Sequence, residues 1–167
     1  GQQVTVKAAS TLVARVAERY GEAYECDVEG LIYTFPEPAQ LVLADLDGMG
    51  IVGARIAAIR AVAEQLERGE LDIGGGMGTE TFVRAICKIK GVGEWTAQYI
   101  AMRALSDPNA FPHSDLILRR AVAEPGDTLT PLALRQRAES WQPWRAYCVI
   151  LLWENYAFEK LNKPKKQ

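Results

Sequence analysis

Imidazole and thiol side chains are scarce in this chain. There is one His, at 113, and three Cys, at 26, 87 and 148, none of them in a Cys-x-x-Cys pair. Without such a pair or a second His, the spacing supports neither a zinc site nor a four-Cys iron–sulfur cluster. Basic charge is not in surplus either: 19 Lys and Arg face 21 Asp and Glu, a net charge of −2. This argues mildly against nucleic acid as a partner but does not exclude it, because cations can be segregated onto one face and backbone donors can also hold phosphate. The longest apolar run, Ala146 to Trp153, falls well short of the roughly 20 residues a membrane helix needs, so no membrane association is expected. Gly74-Gly75-Gly76 lacks the Lys-Ser/Thr of a nucleotide loop and reads as a connector. No segment shows convincing strand alternation, and there is no internal repeat. What is present is ordinary for a globular domain: 167 residues, 49% hydrophobic and 24% charged, enough to bury a core.

The most informative stretch runs from Ala85 to Ala101. Two apolar, helix-forming segments flank Gly91-Val92-Gly93. Glycines there allow the sharp reversal of a tight turn. Glu94 and Thr96 open a second helix, whose first N–H groups have no partner within the helix. A glycine turn backed by a helix N-terminus can bind a phosphate oxygen, although a plain αα-hairpin has the same pattern.

The remaining segments read as helices. They are Val4–Tyr20, closed by Gly21; a short one over Ala39–Asp45; Val52–Arg68, closed by Gly69; Thr79 to about Ile89; and Glu94 to about Leu105. Ser114 is a natural cap for a helix from Asp115 to about Ala123. Thr130 and Pro131 start another to about Trp141, and Pro143 precedes a last one over Trp144–Phe158. Residues 22–35 read as loop. Leu46–Ile51 is a second glycine turn, read as structural. Lys160–Gln167 reads as a polar, disordered tail. Trp95, Tyr99 and Met102 share one face of their helix.

The run Ile86-x-x-Ile89-Lys90-Gly91-Val92-Gly93-x-Trp95-Thr96-Ala97 resembles the hairpin of the helix-hairpin-helix DNA glycosylases. Asp115 lies about twenty residues on, where that superfamily keeps its catalytic aspartate. Trp141-Gln-Pro-Trp-Arg-Ala-Tyr147 and Leu152-Trp153 resemble the C-terminal signature of the 3-methyladenine DNA glycosylase II branch. The resemblance extends from Gly1 to about Tyr156. It implies an all-α, two-lobed fold with a cleft between the lobes, and residues 1–167 as one glycosylase domain. In the family the opening Gln-Gln-Val-Thr-like stretch lies inside the domain, so the chain is expected to be a fragment of a protein with further domains.

The resemblance also assigns roles. Asp115 is the expected catalytic carboxylate, with a helix-dipole carboxylate as the alternative. A Pro often stands two residues before it in the family; here Pro112 stands three before. Trp95, Tyr99 and Trp153 would form the base pocket, where electron-rich rings attract a cationic base, and Leu116 falls where the relative has Tyr. Gln2 and Gln3 would fill the gap left by the flipped base, or would simply be an exposed helix start. Lys90, Gly91, Val92, Gly93 and Thr96 would contact DNA. The carbonyls of Cys87, Ile89 and Val92 would hold a structural Na+ or K+ ion, and no cofactor is expected for catalysis. Glycosylases that also nick the strand use a Lys where this chain has Trp95, which implies a monofunctional enzyme. Lys88 is a phosphate partner or a solvated charge. Arg119, Arg120 and Arg145 are DNA-facing candidates, with solvated or ion-paired roles equally open. Trp141, Trp144, Tyr147 and Tyr156 are assigned to structure.

The expected function is therefore base-excision repair by hydrolysis of the N-glycosidic bond of alkylated purines flipped out of duplex DNA. The expected species are 3-methyladenine and 7-methylguanine. The protein is expected to act as a monomer on damaged double-stranded DNA. Three thiols without a framework spacing fit a reducing cytoplasm, with nucleoid association if the source is bacterial. The rivals are a non-catalytic helix-hairpin-helix binding module, a bifunctional glycosylase/lyase for oxidised bases, and an unrelated helical protein.

Overall fold

The computed structural model describes residues 4–74 and 76–162, with side chains through residue 158; Gln2 and Gln3 lie outside the described residues. The described residues are helical and contain no strand, as expected, apart from one isolated antiparallel bridge between Ala23 and Tyr33. None of their helices is long and apolar enough to cross a membrane. They divide into two compact units. One holds the residues up to Asp72 together with Arg84–Val92; the other holds Ile73–Val83 and the residues from Gly93 onward.

In the first unit, α1 (Val6–Tyr20) starts at Thr5, whose hydroxyl accepts from the Ala8 N–H at 3.2 Å. Gly21 ends it. The Tyr24 N–H donates to the Ile32 carbonyl and the Thr34 N–H to the Glu22 carbonyl, both at 2.9 Å. This folds the segment expected as plain loop back on itself. Gly21 is required there: a Cβ would lie 2.0 Å from the Thr34 carbonyl oxygen. Next, α2 (Pro38–Leu43) opens with a reciprocal Glu37–Gln40 capping box and packs on α3 (Gly53–Glu67). Val16, Ala44, Leu46, Met49 and Ile56 form the core. Leu46 and Met49 come from the second glycine turn, which supports its structural reading.

The division falls inside α4 (Thr79–Ile86), whose residues through Val83 belong to the second unit and from Arg84 to the first. It is one turn shorter than expected, because Lys88 and Ile89 bond i→i−3 to Ala85 and Ile86 instead of continuing the helix.

The second unit contains α5 (Glu94–Arg103), α6 (Leu116–Ala121), α7 (Pro131–Arg137) and α8 (Arg145–Asn162). A 3₁₀ turn, Ala138–Trp141, completes what the sequence reads as one helix to Trp141. The core gathers Ala101, Phe111, Leu118, Leu134, Ala138 and Val149, with Tyr99, Trp141 and Trp153 packed against it. Leu118, Leu134 and Val149 are completely shielded from solvent.

Two expectations need correction here. The tail expected from Lys160 is helical through Asn162, because α8 carries on past Phe158. Trp144 and Tyr147 are not core residues. They are 57% and 61% exposed and meet each other edge-on at 5.7 Å, Trp144 just ahead of α8 and Tyr147 in its first turn. Arg145 takes the ion-paired alternative: its guanidinium lies 3.8 Å from the Glu139 carboxylate and 5.8 Å from the Phe111 ring centre, and its Nε donates to the Asn109 side-chain oxygen at 2.7 Å. Trp141 keeps its structural role, edge-on to Phe111 at 5.8 Å.

Candidate active site

Asp115 ends a short ordered loop. The Phe111 N–H donates to the Gln98 side-chain oxygen at 3.0 Å, which anchors the loop to α5. Phe111 and Pro112 are buried. The Asp115 N–H donates to the Pro112 carbonyl at 2.9 Å and closes a turn over Pro112–Asp115. That turn is the local consequence of a proline three residues before the aspartate.

The structure moves Asp115 one position from where the sequence puts it. It is the N-cap of α6 and not its first helical residue, and Ser114 does not cap. Asp115 is extended, with φ −60° and ψ 125°. Its Oδ1 accepts from the Leu118 N–H at 2.9 Å, the bond that makes aspartate a favoured cap.

Two further donors reach the same carboxylate. Trp95, in the first turn of α5, donates its indole N–H to Oδ2 at 2.8 Å. Trp153, in α8, donates its indole N–H to Oδ1 at 3.2 Å. Tyr99 lies one turn after Trp95. Its ring stacks on that indole, with centroids 5.3 Å apart and planes at 10°, and tilts against Trp153 at 6.0 Å and 40°. The three aromatics of the expected pocket and the expected catalytic residue thus meet in one cluster within one unit. Trp95 and Tyr99 already occupy each other's facing sides, so a planar ligand would stack on an outer face of the cluster. Leu116, next to the aspartate, is 44% exposed. The chemistry available is that of a fixed carboxylate beside electron-rich ring faces.

The hairpin belongs to the other unit up to Val92. Gly91 takes φ +96°, where only glycine is unstrained, and the Val92 N–H donates to the Ile89 carbonyl at 3.0 Å. Gly93 is not left-handed, contrary to a symmetric two-glycine turn. It is the extended cap of α5 and offers no side chain to the helix N–H groups. Lys88, Lys90, Gly91 and Gly93 are exposed, while Val92 and Thr96 are half-buried.

Of the arginines, Arg119 is committed to structure through a 2.5 Å bond from Nε to the Leu129 carbonyl, whereas Arg120 is exposed. Gln98, which anchors the loop before Asp115, has no signature in the sequence beyond lying in α5.

No family model matches the chain. Two of the curated proteins it is similar to show the relationship. One is the probable bifunctional transcriptional activator/DNA repair enzyme AlkA of Mycobacterium tuberculosis, 38% identical over 91% of this chain and 31% of that protein. The other is DNA-3-methyladenine glycosylase 2 of Escherichia coli, 33% identical over 92% of this chain and 53% of that protein. The chain thus spans about half or less of the length of these relatives. Among solved structures it resembles the 3-methyladenine DNA glycosylase of Archaeoglobus fulgidus, with a TM-score of 0.80 and 27% identity over 96% of this chain and 56% of that one.

Proposed function

From the premise that the chain belongs to the helix-hairpin-helix DNA glycosylase superfamily, in its 3-methyladenine DNA glycosylase II branch, we propose that it is the excision domain of a monofunctional DNA glycosylase for alkylated purines. The observation that carries the reading is the Asp115 carboxylate, held by Trp95 and Trp153 inside an aromatic cluster.

Alkylation at N3 or N7 leaves a purine cationic. Such a base, once flipped out of the duplex, is attracted to the faces of indole rings at roughly 0.5–2 kcal/mol per contact. When the C1′–N bond breaks, its electron pair leaves with the base, which departs neutral. Positive charge develops on the deoxyribose, and the fixed Asp115 carboxylate stabilises it. A water oxygen then bonds to C1′ and gives up its proton to the carboxylate and on to solvent, leaving an abasic site. Trp at position 95 has no amine to attack C1′, so no covalent adduct forms and the strand is not cut.

The exposed hairpin, Lys90 to Gly93, would take a backbone phosphate of double-stranded DNA. The carbonyls of Cys87, Ile89 and Val92 are neutral oxygens of the kind an alkali cation accepts; Ile89 would use its second lone pair, since the Val92 N–H takes the first. Gln2 and Gln3 keep their proposed role at the vacated base position. In a bacterium the site of action would be the nucleoid.

Incubation with methylated duplex DNA tests the reading. Free 3-methyladenine and 7-methylguanine, with no borohydride-trapped protein–DNA adduct, are expected. Release of oxidised bases with a trapped adduct would replace it with the lyase alternative, and DNA binding without any base release would favour the binding-module alternative.

A further inference from the structure

An ionised carboxylate offers about four lone-pair positions. At Asp115 three are taken. Oδ1 accepts from the Leu118 N–H and the Trp153 indole N–H, and Oδ2 accepts from the Trp95 indole N–H. One donor comes from the helix that Asp115 caps and two come from helices distant in sequence, α5 and α8, so the carboxylate is fixed against rotation about its Cβ–Cγ bond. One acceptor position is left, on Oδ2.

We propose that Trp95 and Trp153 are positioning residues whose indole N–H groups lock the Asp115 carboxylate so that the open position on Oδ2 alone meets the reacting water and sugar. This rests on the glycosylase reading given above. It adds an edge function to rings otherwise assigned to base stacking: the faces take the base, while the N–H edges aim the acid. A base seated on these faces would therefore report directly on the geometry of the carboxylate. A merely structural indole would need a partner for its N–H, but nothing would require both to choose the same side chain.

Phe substitution separates the two functions, because it keeps a ring and removes the donor. Trp153→Phe and Trp95→Phe are expected to lower the single-turnover rate of 3-methyladenine release by about 10-fold or more, the usual scale for one hydrogen bond to a charged group. Affinity for the damaged duplex should fall by less than the rate does, because a ring remains at each position although a phenyl face holds a cation less well than an indole. Unchanged rates, or losses found only in affinity, would overturn the proposal.

A second measurement does not depend on catalysis. In a proton–nitrogen spectrum the four indole N–H signals can be assigned by single Trp→Phe changes. Asp115→Ala should shift those of Trp95 and Trp153 and leave those of Trp141 and Trp144 in place. If neither shifts, the lock does not exist. If both shift but the parent releases no base, the lock stands and the glycosylase reading fails.

Discussion

Replacing Asp115 by Asn should destabilise the protein as well as inactivate it. Many catalytic carboxylates sit in environments that strain the fold, and their removal raises stability. Asp115 is the opposite case, because three donors converge on it. Asn is as good a helix cap as Asp, so its carbonyl can replace Oδ1 and keep the bonds to Leu118 and Trp153. Its amide group then faces the Trp95 N–H, donor against donor. Losing one hydrogen bond to a charged group costs roughly 1.5–3 kcal/mol. The site is only half-buried and water can relieve part of that, leaving about 1–2 kcal/mol. For a chain of this size that corresponds to a fall of about 2–8 °C in melting temperature. Asp115→Ala removes the cap too and should cost about 1 kcal/mol more. Thermal unfolding followed by circular dichroism in one buffer should therefore rank parent above Asn above Ala. An Asn variant at least as stable as the parent would refute the convergence of donors on this side chain.

Other substitutions follow from the same structure. Gly21→Ala should destabilise by at least about 1–3 kcal/mol in denaturant unfolding, since the new Cβ would sit 2.0 Å from the Thr34 carbonyl oxygen and the backbone would have to shift. Leu134→Ala, at a position fully shielded from solvent, should cost about 2–5 kcal/mol by the same measurement. Gly91→Ala should cost about 1–2 kcal/mol, because φ is +96° while the nearest neighbour, the Ala58 Cβ, is an ordinary 3.5 Å away; duplex binding measured by fluorescence anisotropy should weaken as the hairpin distorts. Trp95→Lys, which places an amine next to the carboxylate, should yield a borohydride-trappable adduct absent from the parent.

The helical class of the fold could be read from the sequence because apolar spacing, caps and glycine stops are local signals. Gly21, Thr130 and Pro131 act where they stand in the chain. Asp115, Trp95, Tyr99 and Trp153 were found through the motifs that surround them, and the structure brings all four together. What the sequence could not show is where the N–H edges of the two indoles point. Spacing tells which residues share a helix face, but Trp95 and Trp153 lie on different helices and converge only through tertiary packing. The same limit explains Trp144 and Tyr147. Their three-residue spacing fits a buried stripe as well as an exposed one, and the choice is made by which side of α8 meets α6. It also explains Arg145, whose partner Asn109 lies in a loop 36 residues away. The sequence alone leaves the cap open between Ser114 and Asp115, both good capping residues, and in the structure Asp115 caps after the turn closed onto Pro112.

The most direct test of the account is chromatography of the bases freed from methylated duplex DNA by the parent protein and by Asp115→Asn, with duplex affinity measured in parallel. 3-Methyladenine is expected from the parent, with a rate lower by about 10²–10⁴-fold from the variant and comparable affinity for both. Equal release by the two proteins would contradict the assignment of the chemistry to Asp115.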